Sequence, residues 1–288
     1  MASTSNIKGF AICNEIYGDA AIDAASFADM AAAGYTGVEI APFTLGSTIH
    51  NFAQAKAIAN TARDQGLDVV GLHWLLAKTE GFHLTSPDKT IRQATIDYAK
   101  HLCDLCSAMG GDIMVWGSPQ QRSFPETQSS DEAFKLAVDA MQPIGEYAEQ
   151  CGATIAFEPL GPNETNFITS AAEGEAFADA VNQPAIKLHL DVKAMANEVH
   201  DGQRVGSDGT AIAENIRQHT KHFAHFHAND PNLKGPGQGD VDFKPIAQAI
   251  HDVAYTGWVS VEVFDFSIPP EQIARLGTDT LRQVFGLI

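Results

Sequence analysis

Short apolar runs alternate along the chain with longer stretches whose apolar positions recur every three to four residues. The short runs are GFAICN (9–14), GVEIAP (37–42), DVVGLHW (68–74), DIMVWG (112–117), TIAFE (154–158), IKLHLD (186–191), HFAHFHA (222–228) and WVSVEV (258–263). Their length and β-branched or aromatic content predict strands, and the stretches between them predict helices. Examples of the latter are SFADMAAAG (26–34), FAQAKAIANTARDQG (52–66) and DEAFKLAVDAMQPIGEYAEQCG (131–152). Gly34, Gly66, Gly110, Gly152 and Gly257 stand where these helices should stop. Strands alternating with helices in this way predict an α/β fold, a (β/α)8 TIM barrel in preference to an open doubly wound sheet. No Pro/Ser-rich linker or break in composition divides the chain, so residues 1–288 read as one domain.

Four polar residues close four of the predicted strands: Glu158, Asp191, His227 and Glu262, at intervals of 33, 36 and 35 residues. In a parallel barrel these side chains meet at the C-terminal mouth, where such barrels do their chemistry. A single acid at a strand end is ordinarily a helix cap or a surface charge. Four polar groups of one parity on consecutive strands are a different matter. Two Glu, one Asp and one His form an oxygen-and-nitrogen ligand set for a divalent metal ion, with Mn²⁺, Mg²⁺ and Co²⁺ the best suited and Zn²⁺ also compatible. Period-two alternation turns Thr154, Ala156, His189, His225 and Ser260 inward with them, and Ile155, Phe157, Leu188, Leu190, Phe226, Val259, Val261 and Val263 outward. His189 and His225 thereby become candidates to hydrogen-bond the ligands from below. Two turn-rich loops, 117–130 and 229–240, follow predicted strands on the same face and suit lids or substrate walls.

The formal net charge of −18 argues against a nucleic-acid partner, because phosphate binding draws on Lys and Arg. The first ten residues show no basic segment followed by an apolar one, and no run approaches the ~18 apolar residues of a membrane helix, so a cytoplasmic location is expected. Cys103 and Cys106 form a CxxC without a second pair, inside a helical stretch, and read as core thiols rather than a zinc or redox motif.

GYTGVEIAPF, GLHWLL, AFEPL, LHLDVKAM, HFHAND, GPGQGDVDF and GWVSVEVFDF resemble the xylose isomerase-like TIM-barrel superfamily over nearly the whole chain. That group includes sugar phosphate isomerase/epimerases, ketose 3-epimerases, inosose isomerases and dehydratases, 3-keto-glycoside epimerases and endonuclease IV. The resemblance implies that Glu158, Asp191, His227 and Glu262 are the metal ligands, and that Glu158 and Glu262 also act as acid and base. Two positions depart from the ketose-epimerase pattern. Ala194 stands where a substrate-holding His follows the ligand Asp, and Leu233, beside Lys234, stands where an Arg follows the ligand His. These departures count against a simple ketohexose 3-epimerase and leave the metal chemistry intact.

The implied activity is isomerisation or epimerisation of a keto sugar, keto-glycoside or inosose through an enediolate, with a small carbohydrate as the partner. A lyase or dehydratase shares the first proton abstraction and is the nearest alternative. An endonuclease IV-like DNA hydrolase is a distant one, since two of the histidines its three-zinc site needs are Ala194 and Asp242 here. His73 is expected on the rim, hydrogen-bonded to substrate, with Trp74 and Trp116 as apolar walls. Glu39, Arg122 and Lys234 are rim groups; Arg122 or Lys234 would take a phosphate or carboxylate, with a solvated rim charge as the simpler account. Barrels of this family often pair, which leaves a homo-oligomer open.

Overall fold

Each of the eight expected runs forms a strand, and the eight close on themselves. The structure, a computed structural model, describes residues 6–18 and 22–286. Residues 1–5, 19–21 and 287–288 of the expected 1–288 domain lie outside the described residues. In chain order the elements are β1 (Gly9–Cys13), α1 (Ala24–Ala33), β2 (Gly37–Ile40), α2 (Phe52–Asp64), β3 (Asp68–Leu72), α3 (Lys89–Met109), β4 (Ile113–Trp116), α4 (Ser130–Cys151), β5 (Thr154–Phe157) and α5 (Ala171–Val181). They continue with β6 (Ile186–Asp191), α6 (Val192–Asn197), β7 (Val199–His200), β8 (Gln203–Arg204), α7 (Gly209–Gln218), β9 (Phe223–Ala228), α8 (Phe243–Asp252), β10 (Trp258–Val261) and α9 (Pro270–Phe285). The barrel is parallel and runs β1-β2-β3-β4-β5-β6-β9-β10 back to β1, with β7 and β8 a small antiparallel hairpin outside it. That hairpin was not expected, because two-residue strands carry no readable period.

The helices start where side chains satisfy their free N–H groups. Asp23, Asn51, Asp88, Ser129, Ser170, Asp191, Asp208 and Asp242 each accept a hydrogen bond from the first turn that follows. A cap of this kind is worth about 1 kcal/mol. The Asp23 cap explains why α1 begins two residues before the expected position 26. Gly34, Gly110 and Gly152 end helices in the left-handed region as expected. Gly257 does not. Helix α8 stops at Asp252, the left-handed turn falls on Ala254, and Gly257 is small because the Tyr255 ring lies against it.

The outward strand residues Ile155, Phe157, Leu188, Leu190, Phe226, Val259, Val261 and Val263 join the main apolar core with helix residues such as Phe27, Leu102, Met141, Phe177 and Ile250. Each such side chain, fully buried, contributes about 1.5–3 kcal/mol. Cys103 and Cys106 belong to this core and are unpaired thiols, which burial pushes up, to about 12 for Cys103. A second, smaller cluster of Ala11, Val70 and Trp258, with Ile113 against it, fills the barrel floor. Gly37 makes room for the Trp258 indole, since a Cβ there would lie 2.8 Å from the ring and 2.9 Å from Val70. Gly37→Val is therefore expected to destabilise the protein by about 1–3 kcal/mol, read as a lowered thermal midpoint. Among the described residues no helix is long and apolar enough to cross a membrane.

Candidate active site

Above the apolar floor the barrel interior turns polar. Strand pairing sets His189 beside His225, Asp191 and Ser260 beside His227, and Cys13 beside Glu39. All are buried. Glu39 accepts from two imidazoles, His225 Nε2 at 2.7 Å and His227 Nε2 at 3.2 Å. Burial pushes the Glu39 carboxyl up, but the two histidines outweigh it and hold it well below the usual carboxylate range. His189 packs edge-on to His227, ring centres 4.2 Å apart, with both nitrogens unpartnered. Burial and the neighbouring imidazoles keep it neutral.

One level higher the strand ends deliver the carboxylates. Glu158 follows β5, Asp191 ends β6, and Glu262 follows β10. Asp191 is also the N-cap of α6, accepting from Ala194 N at 2.7 Å, while its other oxygen accepts from Asn229 Nδ2 at 2.5 Å. Asp191 thus caps a helix and faces the other donors at once. His227 Nδ1 and Glu262 Oε2 lie 3.3 Å apart, within ion-pair distance but off the hydrogen-bond axis, so each is a buried atom without a hydrogen-bond partner. Atoms of Cys13, His227 and Glu262 lie within 4.8 Å of one another, as do atoms of Glu158, His189 and Asp191. The four expected residues therefore split between two neighbouring groups of donors.

Their titration shows how closely they crowd. Burial pushes the Glu158 carboxyl well above its ordinary value, and Glu262 and Asp191 add to the shift. Asp191 is raised to about 6, by burial first and then by Glu262 against the pull of Lys193. Glu262 goes the other way: burial raises it, but His227 outweighs that and lowers it. Buried carboxylates held so near one another call for a cation, and oxygens plus an imidazole nitrogen are the donors a divalent ion takes.

Glu158 and Glu262 open onto a cavity of about 350 Å³ at the mouth, whereas Asp191 and His227 lie beneath it. Residues 117–121 of the first turn-rich loop line this cavity. The second loop, 229–240, contributes no lining; Leu160 and Glu164 after β5 and Trp74, Ala77 and Lys78 after β3 do so instead. Other expected residues sit elsewhere. His73 is fully buried and bonded through Nε2 to Glu15 Oε2 at 2.8 Å, off the rim. Trp116 is buried in the wall between barrel and helices. Arg122 lies under the site, donating from Nη1 to the Glu158 carbonyl at 2.6 Å and resting on Phe157, and burial lowers it to about 10. Lys234 is partly exposed and 3.9 Å from Asp265, outside the cavity.

Sequence reasoning missed Lys193. Its Nζ meets Glu164 Oε1 and Oε2 at 2.7 and 2.9 Å and lies 4.5 Å from the centre of the Phe264 ring. Burial opposes its charge, but Asp191, Glu164 and Glu158 more than restore it. A lone lysine in the apolar stretch DVKAMAN was the available signal. Glu15, Glu164 and Asn229 were missed too; their partners lie far along the chain.

The profile of the family described as xylose isomerase-like TIM barrel matches residues 27–284. A D-psicose 3-epimerase of Agrobacterium fabrum is 24% identical over 235 residues, 80% of this chain and 75% of that protein. A D-psicose 3-epimerase of Ruminiclostridium cellulolyticum is 28% identical over 190 residues, 63% of this chain and 59% of that one. Among solved structures, D-psicose 3-epimerase with D-tagatose from Clostridium cellulolyticum H10 superposes with a TM-score of 0.80 at 19% identity, covering 96% of this chain and 99% of that one. At that identity the superposition speaks for the fold.

Proposed function

Because the chain belongs to the xylose isomerase-like TIM barrel family, we propose that it is a divalent-cation-dependent isomerase or epimerase of a keto sugar, keto-glycoside or inosose. The observation that carries this reading is a pair of buried glutamates, Glu158 and Glu262, opening onto one sugar-sized cavity above Asp191 and His227. Glu158, Asp191, His227 and Glu262 would hold the cation, with Mn²⁺, Mg²⁺ and Co²⁺ all suited to the donor set. Bound there, it supplies Lewis acidity toward a carbonyl and a neighbouring hydroxyl oxygen.

The chain's own residues supply the rest. One glutamate takes the proton α to the carbonyl, and the other returns a proton to the opposite face or to the adjacent carbon. Lys193, steadied by Glu164, places a positive charge beside the oxygen that becomes negative as the proton leaves. Phe264 and Trp74 line the cavity with apolar surface and keep water from the carboxylates. We place the enzyme in the cytoplasm, a reducing compartment that suits its four unpaired cysteines.

The test is Mn²⁺ titration of chelator-treated protein, followed by deuterium exchange into D-psicose and other keto sugars. One ion per chain is expected, with binding abolished in Asp191→Ala. Affinity should also fall as pH drops, because protons on His227, Glu158 and Asp191, all raised in the folded protein, compete with the ion. Each displaced proton means about tenfold per pH unit. Protein that takes up no cation at any pH overturns the reading.

A further inference from the structure

Trp74 follows β3 in a backbone conformation that bulky residues seldom hold, with φ at +50°. Its indole is stacked between two rings, Phe43 at 6.1 Å and Phe264 at 5.6 Å between centres. Lys78 lies over the Phe43 ring at 4.2 Å and Lys193 over the Phe264 ring at 4.5 Å. The result is a stack of three rings with an ammonium over each end ring, which fixes the plane of the indole. Within that plane the indole N–H reaches Glu262 Oε1 at 2.7 Å, across 188 residues of sequence.

Indole N–H is a donor and nothing else. It holds one carboxylate oxygen of Glu262 and leaves Oε2 facing His227 Nδ1 at 3.3 Å, where neither atom has a hydrogen-bond partner. We propose that Trp74 is a positioning residue: its N–H fixes the Glu262 carboxylate so that Oε2 and His227 Nδ1 present their lone pairs together to a divalent cation. The inference rests on the cation-site reading above and goes beyond it, since it makes Trp74 a donor to a ligand as well as a cavity wall. The strained backbone fits this role, because it aims the side chain back into the barrel mouth, and such strain persists only where the surroundings enforce it.

The experiment compares Mn²⁺ binding by titration calorimetry to full-length wild type, Trp74→Phe, Trp74→His and Phe264→Leu, each checked by its metal-free melting temperature. Phenylalanine keeps the stack and loses the donor, and binding should weaken about 10- to 100-fold. Histidine has less surface to stack, yet its Nε2 can occupy the place of the indole nitrogen, and it tolerates a left-handed backbone better than most residues. It should recover most of the lost affinity. Phe264→Leu removes one stacking face, keeps the donor, and should bind within a few-fold of wild type. Should Trp74→Phe fold poorly, proton–nitrogen NMR of wild type decides the matter: the Trp74 indole N–H should resist hydrogen exchange and shift when Mg²⁺ binds, and one that exchanges freely and does not shift overturns the proposal. Binding that follows ring size, with phenylalanine above histidine or Phe264→Leu as weak as Trp74→Phe, overturns the proposal, and so does equal affinity in all four proteins. Wild type that takes up no Mn²⁺ removes the cation reading and this inference with it; the other outcomes remove the inference alone.

Discussion

Glu158→Gln is expected to slow exchange of the α-proton of a keto-sugar substrate by about 10²–10⁴-fold while raising the melting temperature of the metal-free protein. Glutamine matches glutamate in shape but cannot take up the proton. The gain in stability follows from the sign of the shift. Glu158 is raised well above its ordinary 4.5, by burial first and then by Glu262 and Asp191, so its ionised form is disfavoured in the folded state. At neutral pH the native protein bears that cost, and an uncharged side chain removes it. Glu262→Gln should lose as much activity and lose stability as well, because His227 favours the charged form of Glu262. Thermal melts of both variants beside their exchange rates separate loss of chemistry from loss of fold. Wild-type exchange rates in Glu158→Gln would remove that residue from the proton path.

Glu39→Ala is expected to cost about 3–5 kcal/mol of stability, as removal of one partner from a buried ion pair does, and to weaken cation binding about 10- to 100-fold. The carboxylate is fully buried and serves two imidazoles; without it His225 Nε2 and His227 Nε2 lose their shared acceptor and His227 loses its fixed orientation. The pH dependence has two limbs. Glu39 is lowered in the folded state, so its contribution is full above about 4.5 and is lost as pH falls toward its folded value. For His227, burial lowers the pKa but Glu39, Cys13 and Glu262 raise it more, so its contribution is full below about 6.5 and fades as pH climbs past the raised value. Denaturant melts of chelator-treated wild type and variant from pH 4 to 9 should therefore show the widest gap near the middle of that range. A gap that does not change with pH would mean that the loss is one of packing alone.

What the chain discloses before folding is the part governed by period. Alternation of two turns Ile155 and Phe157 outward and Glu158 inward, and the same parity sorts the residues of β6, β9 and β10. The eight strand positions follow from the same kind of pattern, and the structure adds their closure. Partners across the interior are not legible in this way. Glu39 meets His225 over 186 residues, which depends on closure of the barrel, and Glu15 meets His73 over 58, with β2 standing between their strands. Direction at loop positions is equally hidden. Trp74 faces Glu262 because of its left-handed backbone, Arg122 turns under Glu158 rather than over the rim, and Lys193 turns into the cavity from the first turn of a six-residue helix. Alternation says nothing about any of the three.

The apolar floor of Ala11, Val70 and Trp258 makes the barrel a well closed at one end. With Asp191 and His227 beneath the cavity and Glu158 and Glu262 at its edge, the proposed ion and its sugar would pass the same doorway. Such a well would load the ion first and the sugar second, and release them in reverse. A sugar in place would then act as a stopper, so that working enzyme would hold its ion for longer than idle enzyme does.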